Sequence, residues 1–140
     1  MPPTSTVVYE GHLRTRARHL RSGTEIVTDA PVDNHGKGEA FSPTDLAATA
    51  LASCILTIVG IACQGREVDV TGMRAEVTKT MGGPPRRIAA VDIAVRMPPR
   101  RFTPEQRRIV EQAAAACPVG RSLHPDLQQR VEIVWDGADS

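Results

Sequence analysis

The chain has 140 residues, a formal net charge of +1 and three cysteines. That length favours one domain over residues 1–140, long enough for a real core. The balanced charge gives no basis for nucleic-acid binding, and aromatics at 3% leave no stacking platform for single strands.

The first residues, MPPTSTVVYEG, show no basic segment followed by an apolar run, so no secretory signal is expected and the cytoplasm is the expected compartment. An odd number of cysteines in a reducing compartment does not make a structural disulfide framework. They are core residues, metal ligands or redox groups. Residues 7–17 (VVYEGHLRTRA) alternate loosely and predict a half-exposed strand with a bulge at Gly11. Ser22-Gly23 signals a turn, and 24–28 (TEIVT) a short strand, giving a meander that ends at Pro31. Residues 32–40 (VDNHGKGEA) read as a polar, Gly-containing loop.

Residues 41–63 (FSPTDLAATALASCILTIVGIAC) predict the long helix around which the chain is organised. Ser42 is its expected N-cap, Pro43 its N1 residue and Asp45 a short capping-box acid at N3, while Gly65 ends it. The uncharged run from Leu46 to Cys63 falls short of the about 20 strongly apolar residues of a membrane span, and small residues dilute it. A helix apolar on nearly every face is expected to be covered by protein on all sides, with no membrane as partner.

A strand interrupted near Gly72 is expected over 68–80, then a breaker at Gly82-Gly83-Pro84-Pro85. Residues 88–97 (IAAVDIAVRM) alternate well, with Ala89, Val91, Ile93, Val95 and Met97 on one face, and pair with the preceding strand as a hairpin. Thr103-Pro104-Glu105-Gln106 opens a second helix running to about Ala116. Cys117 before Pro118 caps a short helix, where free N–H groups and Arg121 are expected to favour its thiolate. A closing strand is expected over 130–135. The order of strands, long helix, strands, helix and strand predicts an α+β domain with one antiparallel sheet or two.

Cys54 and Cys63 fall on opposite faces of the long helix and cannot pair without breaking it. There is no C-x-x-C, and His12, His19, His35 and His124 are scattered, so neither a metal nor a cofactor is expected. Phosphate loop, nucleophile elbow and HExxH motifs are missing from the sequence.

The segments SPTDLAATALASC (42–54) and CPVGRSL (117–123), with SGTEIVTDAP, VDNHGKGEAFSP and PRRIAAVDIAVRMP, resemble the OsmC/Ohr family of osmotically inducible and organic hydroperoxide resistance proteins. The resemblance covers nearly the whole chain. It implies an intertwined homodimer in which a curved antiparallel sheet wraps a long central helix. It also implies a peroxidatic cysteine at Cys54, a resolving cysteine at Cys117, a hydroperoxide substrate and an external dithiol reductant. In the family an arginine from the N-terminal strands and a glutamate before the helix hold the first thiolate. The arginine falls on Arg14 or Arg16, and Arg16 is taken as the candidate. At the glutamate position stands Thr44, so Asp45, one residue later, is the candidate acid. This departure places the chain nearer the OsmC-like branch. It keeps open a second reading, a non-catalytic small-molecule-binding or redox-sensing protein on the same scaffold.

Overall fold

A computed structural model describes residues 2–135, which divide into two units, Met1–Ala47 and Ala48–Ser140. The first unit carries an antiparallel meander of β1 (Ser5–Gly11), β2 (Arg14–His19) and β3 (Glu25–Asp29), in that spatial order. The single strand expected over 7–17 is therefore a hairpin. Gly11 pairs with Arg14, and the loop residues His12 and Leu13 both have left-handed backbone, at φ 54° and 64°. Tight two-residue hairpins need positive φ at both loop positions, a role usually signalled by Asn or Gly. Here His and Leu fill it, so the alternation runs on through the turn. The bulge expected at Gly11 is present as a register shift between Tyr9 and Gly11.

Register places Val7, Ala17 and Ile26 in one row across the three strands, followed by Tyr9, Thr15 and Thr28 on the same face. Val7 and Tyr9 are nevertheless 62% and 64% exposed. After β3 comes a 3-10 turn, Val32–Asn34, within the expected loop. Gly36 passes so close to the chain that a Cβ there would lie 1.7 Å from the Ala30 carbonyl oxygen. The long helix α1 (Pro43–Gln64) starts in this unit. The Ser42 hydroxyl accepts from the Asp45 N–H at 3.0 Å and Asp45 Oδ2 accepts from the Ser42 N–H at 3.1 Å. The expected capping box is thus formed.

The second unit holds the rest of α1, then β4 (Arg74–Gly82), β5 (Arg87–Arg96), α2 (Pro104–Ala114), the short α3 (Pro118–Ser122) and β6 (Gln128–Val134). The strand expected over 68–80 starts later, because Gly72 at φ 95° turns the chain just ahead of it. β4 and β5 form the expected hairpin. The closing strand β6 instead pairs parallel with β5, so this three-stranded sheet is mixed and not antiparallel throughout. Parallel neighbours need a long crossover, and α2 and α3 supply it.

Ala48, Leu51, Ala52, Ile55, Val59 and Cys63 make a buried stripe on α1 at helical spacing. They share one cluster with Val91, Ile93 and Val95 of β5, with Met97 and Phe102, and with Val110, Ala113 and Cys117. Each large aliphatic side chain buried there contributes roughly 1.5–3 kcal/mol. By length and hydropathy alone α1 passes for a membrane span; its buried stripe is that of a core helix. Ala50, Ser53, Thr57 and Ile61 on the remaining surface of α1 are exposed, so one chain does not cover the helix on all sides.

α2 opens on the expected capping box, in which Thr103 Oγ1 accepts from the Gln106 N–H at 3.1 Å and Gln106 Oε1 accepts from the Thr103 N–H at 2.9 Å.

Candidate functional site

In the second unit the folding of α1 and of the α2–α3 junction brings two thiols together. Cys54 stands mid-helix and is half-buried, and Cys117 caps α3 and is only 5% exposed. The two thiols are near enough to interact, since Cys54 adds to the rise of the Cys117 thiol. The Cys117 sulfur accepts from the Gly120 N–H at 3.5 Å, as expected for a cap ahead of proline. It also faces the Leu51 carbonyl oxygen, one turn before Cys54, at 3.9 Å.

The electrostatics of Cys117 differ from the sequence expectation. Burial pushes its thiol upward, the nearby Cys54 thiol adds to that rise, and the Gly120 N–H offsets part of it. Desolvation therefore outweighs the helix end, which in a five-residue helix is a weak dipole. Cys63 is fully buried on the core side of α1, and burial raises its thiol as well. It packs in the core cluster as an inert residue, as its position opposite Cys54 implies.

Beside Cys117 opens a cavity of about 420 Å³. Leu51, Ile55 and Ile133 give it apolar walls, and Glu111, Arg121 and Gln129 give it a polar side. A site of that size and mixed lining accommodates a small organic molecule next to a thiol.

The other two candidates belong to the first unit, and each is engaged there. Arg16 pairs with Glu10 at 2.9 Å and with Glu25 at 3.6 Å. Asp45 serves the α1 cap. The better-built group in that unit centres on Arg14. Its Nε and Nη2 donate to the two carboxylate oxygens of Asp29, each at 2.7 Å, and Nη2 also reaches Glu39 at 3.1 Å. Asp29 is 1% exposed and accepts a further bond from the Glu39 N–H at 3.1 Å. These bonds to Arg14, above all, hold the Asp29 carboxyl below the usual carboxylate range. Sequence reading did not single out Asp29 or Glu39. Asp29 becomes visible only once the turn around Ser22-Gly23 sets β3 against β2, because Arg14 and Asp29 are register partners. Among the described residues no cluster of His, Cys, Asp and Glu has a metal-binding arrangement.

The model of the OsmC-like protein family matches residues 36–132. The chain is 53% identical to a Psychrobacter arcticus protein whose name assigns it to the osmotic stress and detoxification response, with a TM-score of 0.91 over 95% of this chain and 96% of the other. It superposes on the organic hydroperoxide resistance protein OsmC of Legionella pneumophila at 13% identity and a TM-score of 0.73, covering 95% and 98% of the two chains. An organic hydroperoxide resistance protein from Vibrio cholerae, with captopril bound in one of its active sites, matches at 17% identity and a TM-score of 0.72, covering 95% and 92%. No curated protein sequence matches the chain.

Proposed function

Because the chain belongs to the OsmC-like protein family, we propose that it is a thiol-dependent hydroperoxide reductase, with Cys54 the peroxidatic and Cys117 the resolving cysteine. The observation that carries this reading is that Cys117 Sγ packs against α1 one turn before Cys54, 3.9 Å from the Leu51 carbonyl oxygen, where the Cys54 thiol raises it. The half-buried Cys54 is the more accessible of the pair, which suits the residue that meets substrate. Cys117, held toward its neutral form by burial, suits the second step.

In the first step the Cys54 thiolate attacks the distal peroxide oxygen. An S–O bond forms, the O–O bond breaks, and the alkoxide leaves and takes up a proton from solvent, giving a sulfenic acid and the alcohol. Cys117 then attacks that sulfur, the S–O bond breaks and water leaves, giving a disulfide. An external dithiol restores both thiols through a mixed disulfide and is itself oxidised. Within the first unit Arg14, held by Asp29 and Glu39, is the more firmly built arginine of the two candidates.

The reading includes a cytoplasmic homodimer. Val7, Val8 and Tyr9 of β1 and Ile61 of α1 are 62%, 59%, 64% and 61% exposed. Such large exposed apolar surface, on β1 in the first unit and on α1 in the second, is surface suited to interaction. A second copy of the chain covers it in this proposal, and the apolar cover would favour organic hydroperoxides over hydrogen peroxide. The deciding assay is turnover with a dithiol reductant, comparing cumene and tert-butyl hydroperoxide with hydrogen peroxide. Faster consumption of the organic peroxides supports the proposal. No turnover with both thiols reduced overturns it in favour of the binding or sensing reading.

A further inference from the structure

We infer that Gln129, on the exposed surface of β6, is a positioning residue for Cys117: its side-chain amide holds the turn that presents the Gly120 N–H to the Cys117 sulfur. Gln129 Nε2 donates to the Gly120 carbonyl at 2.9 Å. The N–H of the same residue donates to Cys117 Sγ at 3.5 Å. Two other bonds of this turn stay inside it. The Arg121 N–H donates to the Cys117 carbonyl at 3.1 Å, and the Ser122 hydroxyl to the Pro118 carbonyl at 2.9 Å. The Gln129 bond is different, because it ties the turn to the sheet.

The space around Gly120 points the same way independently. A Cβ added there would lie 2.7 Å from Gln129 Oε1 and 3.4 Å from Leu51 Cδ1. The Gln129 side chain thus lies directly against Gly120, with Leu51 at ordinary van der Waals distance on α1. The chemistry calls for a donor at position 129. A carboxylate there would face the Gly120 carbonyl without a proton to share, and an apolar side chain would leave the carbonyl without this partner.

This inference rests on the reading of Cys117 as a working thiol. When its sulfur carries negative charge, during attack or on leaving from the disulfide, the Gly120 N–H is the donor that stabilises that charge.

Alkylation by iodoacetamide, followed on each cysteine peptide by mass spectrometry from pH 6 to 10, tests the inference without any hydroperoxide. In Gln129→Leu and Gln129→Glu, Cys117 should alkylate roughly threefold to tenfold more slowly at pH 7.5, the scale of one lost hydrogen bond. The midpoint of its pH profile should move upward. Gln129→Lys, which keeps a donor, should stay close to the wild type. Gly120→Ala should reproduce the slow phenotype by displacing the amide. Cys54 and Cys63 profiles and the thermal midpoint should not change in the Gln129 variants. An unchanged Cys117 profile in both Gln129→Leu and Gln129→Glu overturns the inference, and so does an equal rise in all three thiols, which would mean general loosening. Loss of the proposed reductase activity in the wild-type assay would sink that function while leaving this result readable.

Discussion

The thiol of Cys54 lies near enough to that of Cys117 to raise it, although one belongs to the middle of the long helix and the other to the cap of a short one. A disulfide requires Cα atoms within about 7 Å, and Cys117 Sγ already lies 3.9 Å from the Leu51 carbonyl oxygen, one turn before Cys54. One equivalent of organic hydroperoxide should therefore link Cys54 to Cys117, as found by peptide mapping under non-reducing conditions. Cys63 lies fully buried on the core side of α1 and should remain a free thiol. A Cys63 linkage would overturn the proposed pairing.

The proposed order of reaction rests on the family resemblance and on the greater accessibility of Cys54. Cys54→Ser should consume no hydroperoxide. Cys117→Ser should perform a single turnover and accumulate a sulfenate on Cys54 that dimedone traps. Helix-end reasoning alone makes Cys117 the more acidic thiol, but burial raises it instead. Dimedone labelling of Cys117 in the Cys54→Ser variant would reverse the two roles.

Those cysteine settings were legible in the sequence because caps are local. Ser42-Pro43, Thr103-Pro104 and Cys117-Pro118 each mark a helix start by residue type alone, and each stands where expected. The β4–β5 hairpin was legible because the alternation of residues 88–97 begins just after a Gly-Pro breaker that ends the preceding strand. The β1–β2 hairpin was not, because His12 and Leu13 occupy positive φ without the residues that usually announce it. The parallel pairing of β6 depends on where a crossover delivers the chain, which no local pattern encodes. Asp29 and Gln129 went unnoticed for the same reason, since each acts on a residue brought near only by sheet register or by the α3 turn.

Assembly is tested by mass. Light scattering at micromolar concentration should give twice the 15.1 kDa of the chain, with an interface above about 2,000 Å² as obligate dimers bury. Val8→Asp or Ile61→Asp, at exposed apolar positions of β1 and α1, should lower the mass toward one chain. A monomeric wild type would refute the dimer.

Leu51 joins stability to the thiol site. It is fully buried in the core cluster, its carbonyl faces Cys117, and it walls the cavity. Leu51→Ala should cost about 2–5 kcal/mol in denaturant unfolding, the usual range for a truncated core leucine. Leu51→Met, which keeps volume, should cost under about 1.5 kcal/mol. Equal losses in the two variants would show that packing at this point is not what the side chain supplies.

The Arg14–Asp29 pair should leave a signature in acid. Asp29 is depressed below its ordinary range, chiefly by the two hydrogen bonds from Arg14. Its folded pKa lies below its unfolded one, so folding favours the carboxylate. The stability this supplies is complete above the unfolded pKa of about 4 and is lost as pH falls through the folded value. Thermal midpoints measured from pH 7 to pH 2 should fall steeply below about pH 4 in the wild type. Asp29→Asn has no proton to take up there and loses the charge-assisted pair at every pH. It should melt lower than the wild type at pH 7, and the gap should narrow as acid protonates the wild-type carboxyl. Arg14→Met should also melt lower at pH 7, because it leaves a buried carboxylate with only the Glu39 N–H among the bonds described for it. Parallel curves for wild type and Asp29→Asn across the whole range would show that Asp29 titrates alike in the folded and unfolded chains, and the pair would then have no part in holding the first unit together.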